Sequence, residues 1–443
     1  MNLSKSIKIG TVEINTDASI DLREAQRAFA SLEAAIQYNE EDNPSGIVGQ
    51  KEMIRFMLVA LLSGAHVLLE GNPGLAKTET CKKVASLLGA LQFNRVQFVP
   101  DMMPSDLLGS QRIDLDGGQT RQVWADGPIF ANLLLADEIN RASAKVQAAL
   151  LEATGEKQVS QAGRGTKALR TAVEVKALEG ITRMFRQEIV VTRRWPLVFS
   201  TMATMNPIEM EGTYELSEAQ LDRFMAKVLV PYPNQEELGK IQKHQKRDED
   251  PPPFEIATVI FLSMLRDMLT GREAKRQFME QKPELAEQIR WLVWFSHARP
   301  LGGGADEGGG WAVEGGDLAA SAQARDVRMK LKEWARNSSG NKAEHEFAGH
   351  MLEALSSDAY PGVLSGSSPR GMERLTEAVL VTAFLNNNID NGFASPTQRD
   401  LESVLHPILR HRIRLSSSAI AGGRNSDQVI DALQHALRAA FKS

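Results

Sequence analysis

Gly71-Asn72-Pro73-Gly74-Leu75-Ala76-Lys77-Thr78 follows an apolar run, Ala65 to Leu69, of the right length for a buried strand. A glycine-rich turn between strand and helix lets successive backbone N–H groups close around an anion, and the helix N-terminus adds roughly half a positive charge. The stretch therefore predicts a phosphate-binding loop. Lys77 would reach the β- and γ-phosphates, and the Thr78 hydroxyl would hold Mg²⁺. The pattern GxxxxGK[ST] is broken once, where Ala76 stands for the second glycine. Alone, the octapeptide also fits an ordinary strand-to-helix turn.

Leu133-Leu134-Leu135-Ala136-Asp137-Glu138 is an apolar strand ending in two carboxylates. Strands of a phosphate-loop sheet deliver their C-terminal residues to the loop's edge, so Asp137 can hold the Mg²⁺ shell while Glu138 faces the γ-phosphate and activates the attacking water. By itself such a pair also reads as a helix cap or a solvated surface pair. Asn206, beyond the strand Leu197 to Thr201, offers an amide able to bond both water and γ-phosphate, or merely an Asn-Pro turn with Pro207. Arg223, in Leu221-Asp222-Arg223-Phe224, can pair with Asp222 or cap a helix. In an oligomeric nucleotidase it can instead project toward a neighbouring subunit's γ-phosphate.

The chain's 443 residues suit two or three domains at roughly 100–200 residues each. A net charge of −5 argues against a constitutive nucleic-acid coat and against an anionic membrane surface. The single cysteine, Cys81, leaves no intramolecular disulfide framework, fits a reducing compartment and reads as a small core residue. No apolar run approaches the ~20 residues that span a bilayer, and no secretory leader is evident, so a cytoplasmic location is expected. The eight histidines lack metal-ligand spacing. Mg²⁺ with a nucleotide is the expected metal.

Residues 1–44 read as an arm and a helix, Leu22 to Tyr38, with Leu22, Ala25, Phe29, Leu32 and Ile36 at helical spacing. A second helix runs from Lys51 to Ser63. Strands are expected over 65–69, 95–99, 132–136, 197–203 and 227–230, alternating with helices over 76–89, 142–154 and 217–225. That alternation predicts an α/β fold with a parallel sheet covered on both faces. After Pro231-Tyr232-Pro233 only helices are expected, with a break at Pro251-Pro252-Pro253 and a glycine-rich loop over 301–316.

With these motifs together the chain resembles a MoxR-type AAA+ ATPase, across residues 45–232 and more thinly to about 415. The resemblance is carried by Gly49-Gln50, Gly71 to Thr78, Phe98-Val99-Pro100-Asp101 with Pro104-Ser105-Asp106, and Gly127-Pro128-Ile129-Phe130. Leu133 to Ala142, Met205-Asn206-Pro207 and Glu218 to Phe224 complete it. It implies an AAA+ P-loop core over 45–232, a parallel sheet flanked by helices, followed by an all-α lid domain over 233–443. ATP would lie on Gly71, Asn72, Pro73, Gly74, Leu75, Ala76, Lys77, Thr78 and Glu79, with Ile47 and Val48 near the adenine. Sensor 1 falls on Asn206, the arginine finger on Arg223 and sensor 2 on Arg370. Arg370 also reads as a first-turn surface arginine of a helix over 371–385. A homo-oligomeric ring, usually a hexamer, and chaperone-like remodelling of a partner protein, often with a von Willebrand factor A domain, are implied as well.

Between 161 and 195 the chain is longer than the resemblance leads one to expect and locally basic, with Arg164, Lys167, Arg170, Lys176, Arg183, Arg186, Arg193 and Arg194. A solvated helix face and a pore element gripping acidic polypeptide both fit it. The rival function is a nucleic-acid motor with a basic pore hairpin, against which stand the acidic net charge and the lack of a DNA-binding module. A non-catalytic scaffold is opposed by the intact Asp137-Glu138 pair.

Overall fold

Five short segments make one parallel sheet: β1 (Val67–Glu70), β2 (Phe93–Gln97), β3 (Leu133–Asp137), β4 (Ser200–Met205) and β5 (Ala226–Leu229), in spatial order β5-β1-β4-β3-β2. The computed structural model describes residues 6–9, 12–15, 21–41, 43, 45–88, 91–116, 119–161, 165–168, 189–190, 199–206, 214–243, 258–298, 318–337, 339–357, 360 and 362–441. All four strand pairings in the sheet are parallel. Parallel strands covered on both faces read as continuous hydrophobic runs, and Leu133, Leu134, Leu135 and Ala136 are all buried.

The register explains the core. Leu68 pairs with Ala203, Ala203 with Ala136, and Ala136 with Val96, forming one transverse row across four strands. Side chains alternate between faces, so this row points to a single side of the sheet. There it meets Val146, Leu150 and Ala153 of the helix Ala144–Glu156, together with Phe98, Phe130 and Phe199. The helix Lys51–Ser63 has ten buried residues and packs between the sheet and the helix Thr258–Thr270, as a helix apolar nearly all round must. The helix Leu22–Ile36 buries each of the five expected apolar positions and is capped by Asp21, which accepts from Arg23 N.

Three elements depart from expectation. The helix expected over 217–225 is helical only over Glu218–Leu221, closed at its start by a Ser217/Gln220 capping box, so Arg223 sits in the turn before β5. An antiparallel hairpin, Gly109–Asp116 with Gln119–Asp126, stands where no strands were expected. Within 161–195, Gly165–Ala168 pairs with Gln158–Gln161, and Ile189–Val190 pairs with Ser6–Ile9 of the N-terminal arm. The remainder of that basic segment, and the glycine-rich stretch 301–316, lie outside the described residues.

The chain divides into two compact units, Met1–Lys275 with Leu380–Ser395, and Arg276–Val379 with Pro396–Ser443. The helices Gln235–Lys243 and Thr258–Thr270 thus group with the sheet, beyond the composition change at 233. The described residues of the second unit are mostly helical, with one short strand pair, Val363–Ser365 with Arg414–Leu415. Its centre is aromatic, with ring centroids of Trp291 and Trp334 4.7 Å apart and those of Phe295 and Phe347 4.8 Å apart.

In that unit His406 joins the helix Gln398–Leu409 to Ser426–Ala440, with Nδ1 3.3 Å from Asp427 and Nε2 3.1 Å from Asp431. The hydrogen bond with Asp427 is the main cause that raises the His406 pKa above its usual value, against burial. A raised folded pKa means that this contribution is complete below the unfolded value, about 6.5, and fades as pH rises through the folded value. His406→Gln should therefore destabilise by about 0.5 kcal/mol near pH 6, and by less above pH 8, when denaturant melts of both proteins are compared.

Candidate functional site

The C-terminal ends of β1, β3 and β4 lie side by side, and everything decisive hangs from that edge. From β1 the chain passes into the loop, where Gly71 N donates to the Met205 carbonyl of β4 at 3.2 Å. A Cβ on Gly71 would lie 2.8 Å from the Val230 carbonyl oxygen, so only glycine permits this approach to the end of β5. Gly74 and Ala76 take left-handed backbone, with φ 81° and 57°, which turns the chain into the helix Lys77–Leu87. Asn72, Pro73 and Gly74 are exposed at the loop's mouth.

Lys77 is 7% exposed. Its ammonium donates to the Gly71 carbonyl, to Asn72 O at 2.9 Å and to Asn206 Oδ1 at 3.2 Å. Burial pulls its pKa below the usual value, with Asp137, Glu138 and Glu70 opposing. Thr78 Oγ1 lies 3.1 Å from both carboxylate oxygens of Asp137. Thr204 Oγ1 donates to Asp137 Oδ1 at 2.6 Å, and Arg95 donates to Oδ2 from Nε at 3.2 Å and Nη2 at 2.8 Å. Burial is the largest influence on the Asp137 pKa and would raise it. The hydrogen bonds from Thr204, Arg95 and Thr78, with the Arg95 charge, outweigh it and hold the carboxyl below its usual range.

Glu138 also takes left-handed backbone, φ 58°, a conformation that turns the chain out of β3 into the short 3₁₀ segment Ile139–Arg141. Its N–H is bonded to Thr204 Oγ1 at 3.0 Å, and its Oε2 accepts from Gln97 and Arg141, each at 3.0 Å. Asn140 Nδ2 donates to the Asn206 carbonyl at 3.2 Å. Lys77, Thr78, Asp137, Glu138 and Asn206 are thus brought together. Arg95, Gln97, Arg141 and Thr204 join them without having been singled out in the sequence. Arg95 and Gln97, polar residues on either side of the buried Val96 in a short strand, were the available signal.

The remaining expected residues are placed as follows. Ile47 is buried, its backbone bonded to Ile36 and Tyr38, and Val48 is half-buried. Of the next two residues, Gln50 donates from Nε2 to Pro231 O at 3.3 Å, just past β5, and Gly49 lies against Glu237 of the helix Gln235–Lys243. Glu79 is exposed in the first turn of its helix. Arg223 donates from Nη1 to the Leu151 carbonyl at 3.0 Å and fills the space over Gly155, on the helix behind the core. Arg370 is exposed at the start of the helix Pro369–Leu385, in the second unit.

The donor set suits Mg²⁺. A hydroxyl and a carboxylate converge, both hard oxygen ligands, and Mg²⁺ characteristically takes one or two protein oxygens and completes its shell with phosphates and waters. Among the described residues no group of three or more His, Cys, Asp or Glu could hold a metal by itself.

A β5-β1-β4-β3-β2 parallel sheet, with a lysine-bearing loop after β1 and an acidic pair at the tip of β3, is the arrangement of a phosphate-loop domain. A family model described as "ATPase family associated with various cellular activities (AAA)" matches residues 66–184 and 177–226. Chaperone MoxR1 of Mycobacterium tuberculosis is 46% identical over 195 residues, 44% of either chain. Protein MoxR of Paracoccus denitrificans is 28% identical over 375 residues, 84% of this chain and 86% of that one. A crystal structure of a protein assigned as an ATPase, from Cytophaga hutchinsonii, superposes with a TM-score of 0.61 at 27% identity over 94% of both chains. Protein YeaC of Bacillus subtilis is 39% identical over 202 residues, 53% of that chain, so the match spans about half the length of the Mycobacterium and Bacillus relatives. Residues 66–226 thus match the AAA ATPase family, and the chain is similar to MoxR proteins over and beyond that region.

Two loop substitutions test the backbone argument. Left-handed backbone costs a non-glycine residue about 1–2 kcal/mol, and a new glycine returns about 0.4–1 kcal/mol through unfolded-state entropy. Ala76→Gly should therefore raise unfolding free energy by about 0.5–1 kcal/mol. Gly71→Ala, colliding with Val230, should lower it by about 1–3 kcal/mol, both read from denaturant melts.

Proposed function

We propose that this chain is a Mg²⁺-dependent ATPase that hydrolyses ATP to ADP and phosphate and uses the energy to remodel or mature a partner protein. The convergence of Lys77, Thr78, Asp137, Glu138 and Asn206 on one sheet edge carries this reading. The loop N–H groups and Lys77 take the phosphates, the ammonium exchanging its three oxygen acceptors for phosphate oxygens. Thr78 and Asp137 would hold the metal, which when bound would neutralise phosphate charge. Glu138 accepts the proton of the attacking water, and Asn206 positions that water and the γ-phosphate without adding charge.

The proposal extends to assembly. Arg223 is fastened to the carbonyl of Leu151, and in a homo-oligomeric ring, a hexamer by family resemblance, it would face the neighbour's γ-phosphate while Arg370 closes on the nucleotide of its own subunit. The name of the Mycobacterium relative, a chaperone, supports a protein client. We extend this to a partner with a von Willebrand factor A domain and a cytoplasmic setting. No described helix is long and apolar enough to cross a membrane. The nucleic-acid-motor reading rests on a basic segment that lies mostly outside the described residues, and no described feature favours it.

Lys77→Ala should bind ATP poorly, whereas Glu138→Gln should bind it and turn over at least ~10²-fold more slowly. Equal hydrolysis by wild type and Glu138→Gln would remove Glu138 from the mechanism.

Arg223→Ala should lose hydrolysis yet keep nucleotide affinity, and mixing it with Lys77→Ala subunits should recover part of the activity. Gly155→Ala should mimic Arg223→Ala, because its new Cβ would occupy the place of Arg223 Nη1. Mixtures that exchange subunits and remain inactive would mark Arg223 as a group that acts within its own subunit.

A further inference from the structure

Asp137, the carboxylate assigned to the metal, already carries a cation. Arg95 reaches Oδ2 from two nitrogens, at 3.2 and 2.8 Å, a charge-assisted contact to a single oxygen. The two partners differ in freedom. The Asp137 side chain is 8% exposed and is fixed from other directions by Thr78 and Thr204, whereas the Arg95 side chain is 40% exposed on the edge strand of the sheet. The guanidinium also has a second anchor beside it, Gln97 Oε1 at 2.6 Å from Nη2. Side chains two apart on a strand share a face, so Arg95 can give up Asp137 and keep Gln97.

A divalent cation and a guanidinium within a few ångströms of one carboxylate repel strongly in a partly buried site. We infer that Arg95 is a placeholder cation. It neutralises the buried Asp137 carboxylate in the nucleotide-free protein and is displaced from it when Mg²⁺ arrives with the nucleotide, so it sets how much Mg²⁺ the site requires. This rests on the reading of the loop as an MgATP site. Arg95 is a positioning residue here, acting on nucleotide through Asp137.

The test measures binding, with no turnover. The affinity of the full chain for a fluorescent ATP analogue, mant-ATP, is titrated from EDTA to millimolar Mg²⁺ in wild type, Arg95→Gln and Arg95→Lys, with thermal melts to confirm folding. In Arg95→Gln the half-saturating Mg²⁺ concentration should fall about three- to tenfold, the range for a charged hydrogen-bonded contact discounted for exposure. Its affinity in EDTA should weaken, because Asp137 then faces the phosphates without a counter-charge. Arg95→Lys, which keeps charge but not the two-nitrogen grip, should fall between and serves as the test if the glutamine variant does not fold. A half-point that is unchanged or raised overturns the inference and leaves Arg95 as a fixed support of Asp137. Failure of wild type to bind mant-ATP at all overturns the site reading and this inference together, whereas normal binding with unaltered Mg²⁺ dependence overturns only this one.

Discussion

A carboxylate buried at the end of β3 governs the arrangement around it. An ionised Asp taken out of water costs several kcal/mol unless its oxygens are fully bonded. Asp137 is satisfied from three separate elements: Thr204 on β4, Arg95 on β2 and Thr78 in the first turn of the loop helix. Those bonds are available only if β3 lies between β4 and β2 and the loop helix begins directly above it. The sheet order and the loop position are therefore coupled through one group. The neighbouring lysine is held in the same manner, by carbonyls of the loop it serves and by the Asn206 side chain.

Strain is concentrated at the same edge. Six non-glycine residues among those described have positive φ, and three of them are Gln50, Ala76 and Glu138. Each stands at a change of direction beside the nucleotide region: entry into the helix Lys51–Ser63, entry into the loop helix, and exit from β3. Backbone in sparsely populated regions persists where surrounding contacts over-determine it. For Glu138 the Thr204 hydroxyl bonded to its N–H is one such contact, and Thr204 bonds Asp137 as well.

Much of this was legible in the sequence, and the reasons for the exceptions are physical. The core strands announce themselves because a parallel sheet needs apolar residues on both faces, and the loop and acidic pair do so because phosphate and metal chemistry dictate residue type and spacing. Leu22, Ala25, Phe29, Leu32 and Ile36 were readable from period alone. The hairpin 109–126 was not read, although Gly117-Gly118 sits between two runs and is a recognised two-residue turn signal. Apolar alternation there is limited to Ile113 and Leu115, set between Arg112, Asp114 and Asp116, too short a run to mark a strand. Arg95, Gln97 and Thr204 were missed for a related reason. Their importance comes from being adjacent to Asp137 across strands, and register is not written in any local stretch of sequence. The helix ending at Leu221 was overextended because Asp222-Arg223-Phe224 continues a helical pattern, while tertiary contacts draw Arg223 onto Leu151 and bury Phe224 in the core.

Cys81 lies wholly buried on the helix that begins at Lys77, one turn beyond the loop lysine. Burial pushes its thiol pKa far up, and the nearby Asp137 charge adds to that. A thiol so placed is inert to alkylation while the helix is seated, since reaction needs a thiolate and access. As the chain's single cysteine, it makes the protein its own probe of opening. The rate at which a thiol reagent labels the native chain counts excursions in which the loop helix lifts from the sheet, and where reclosing is fast that rate gives the free energy of local opening. Any ligand that clamps the loop should slow the labelling, so occupancy of the proposed phosphate site can be followed without dye, tag or turnover.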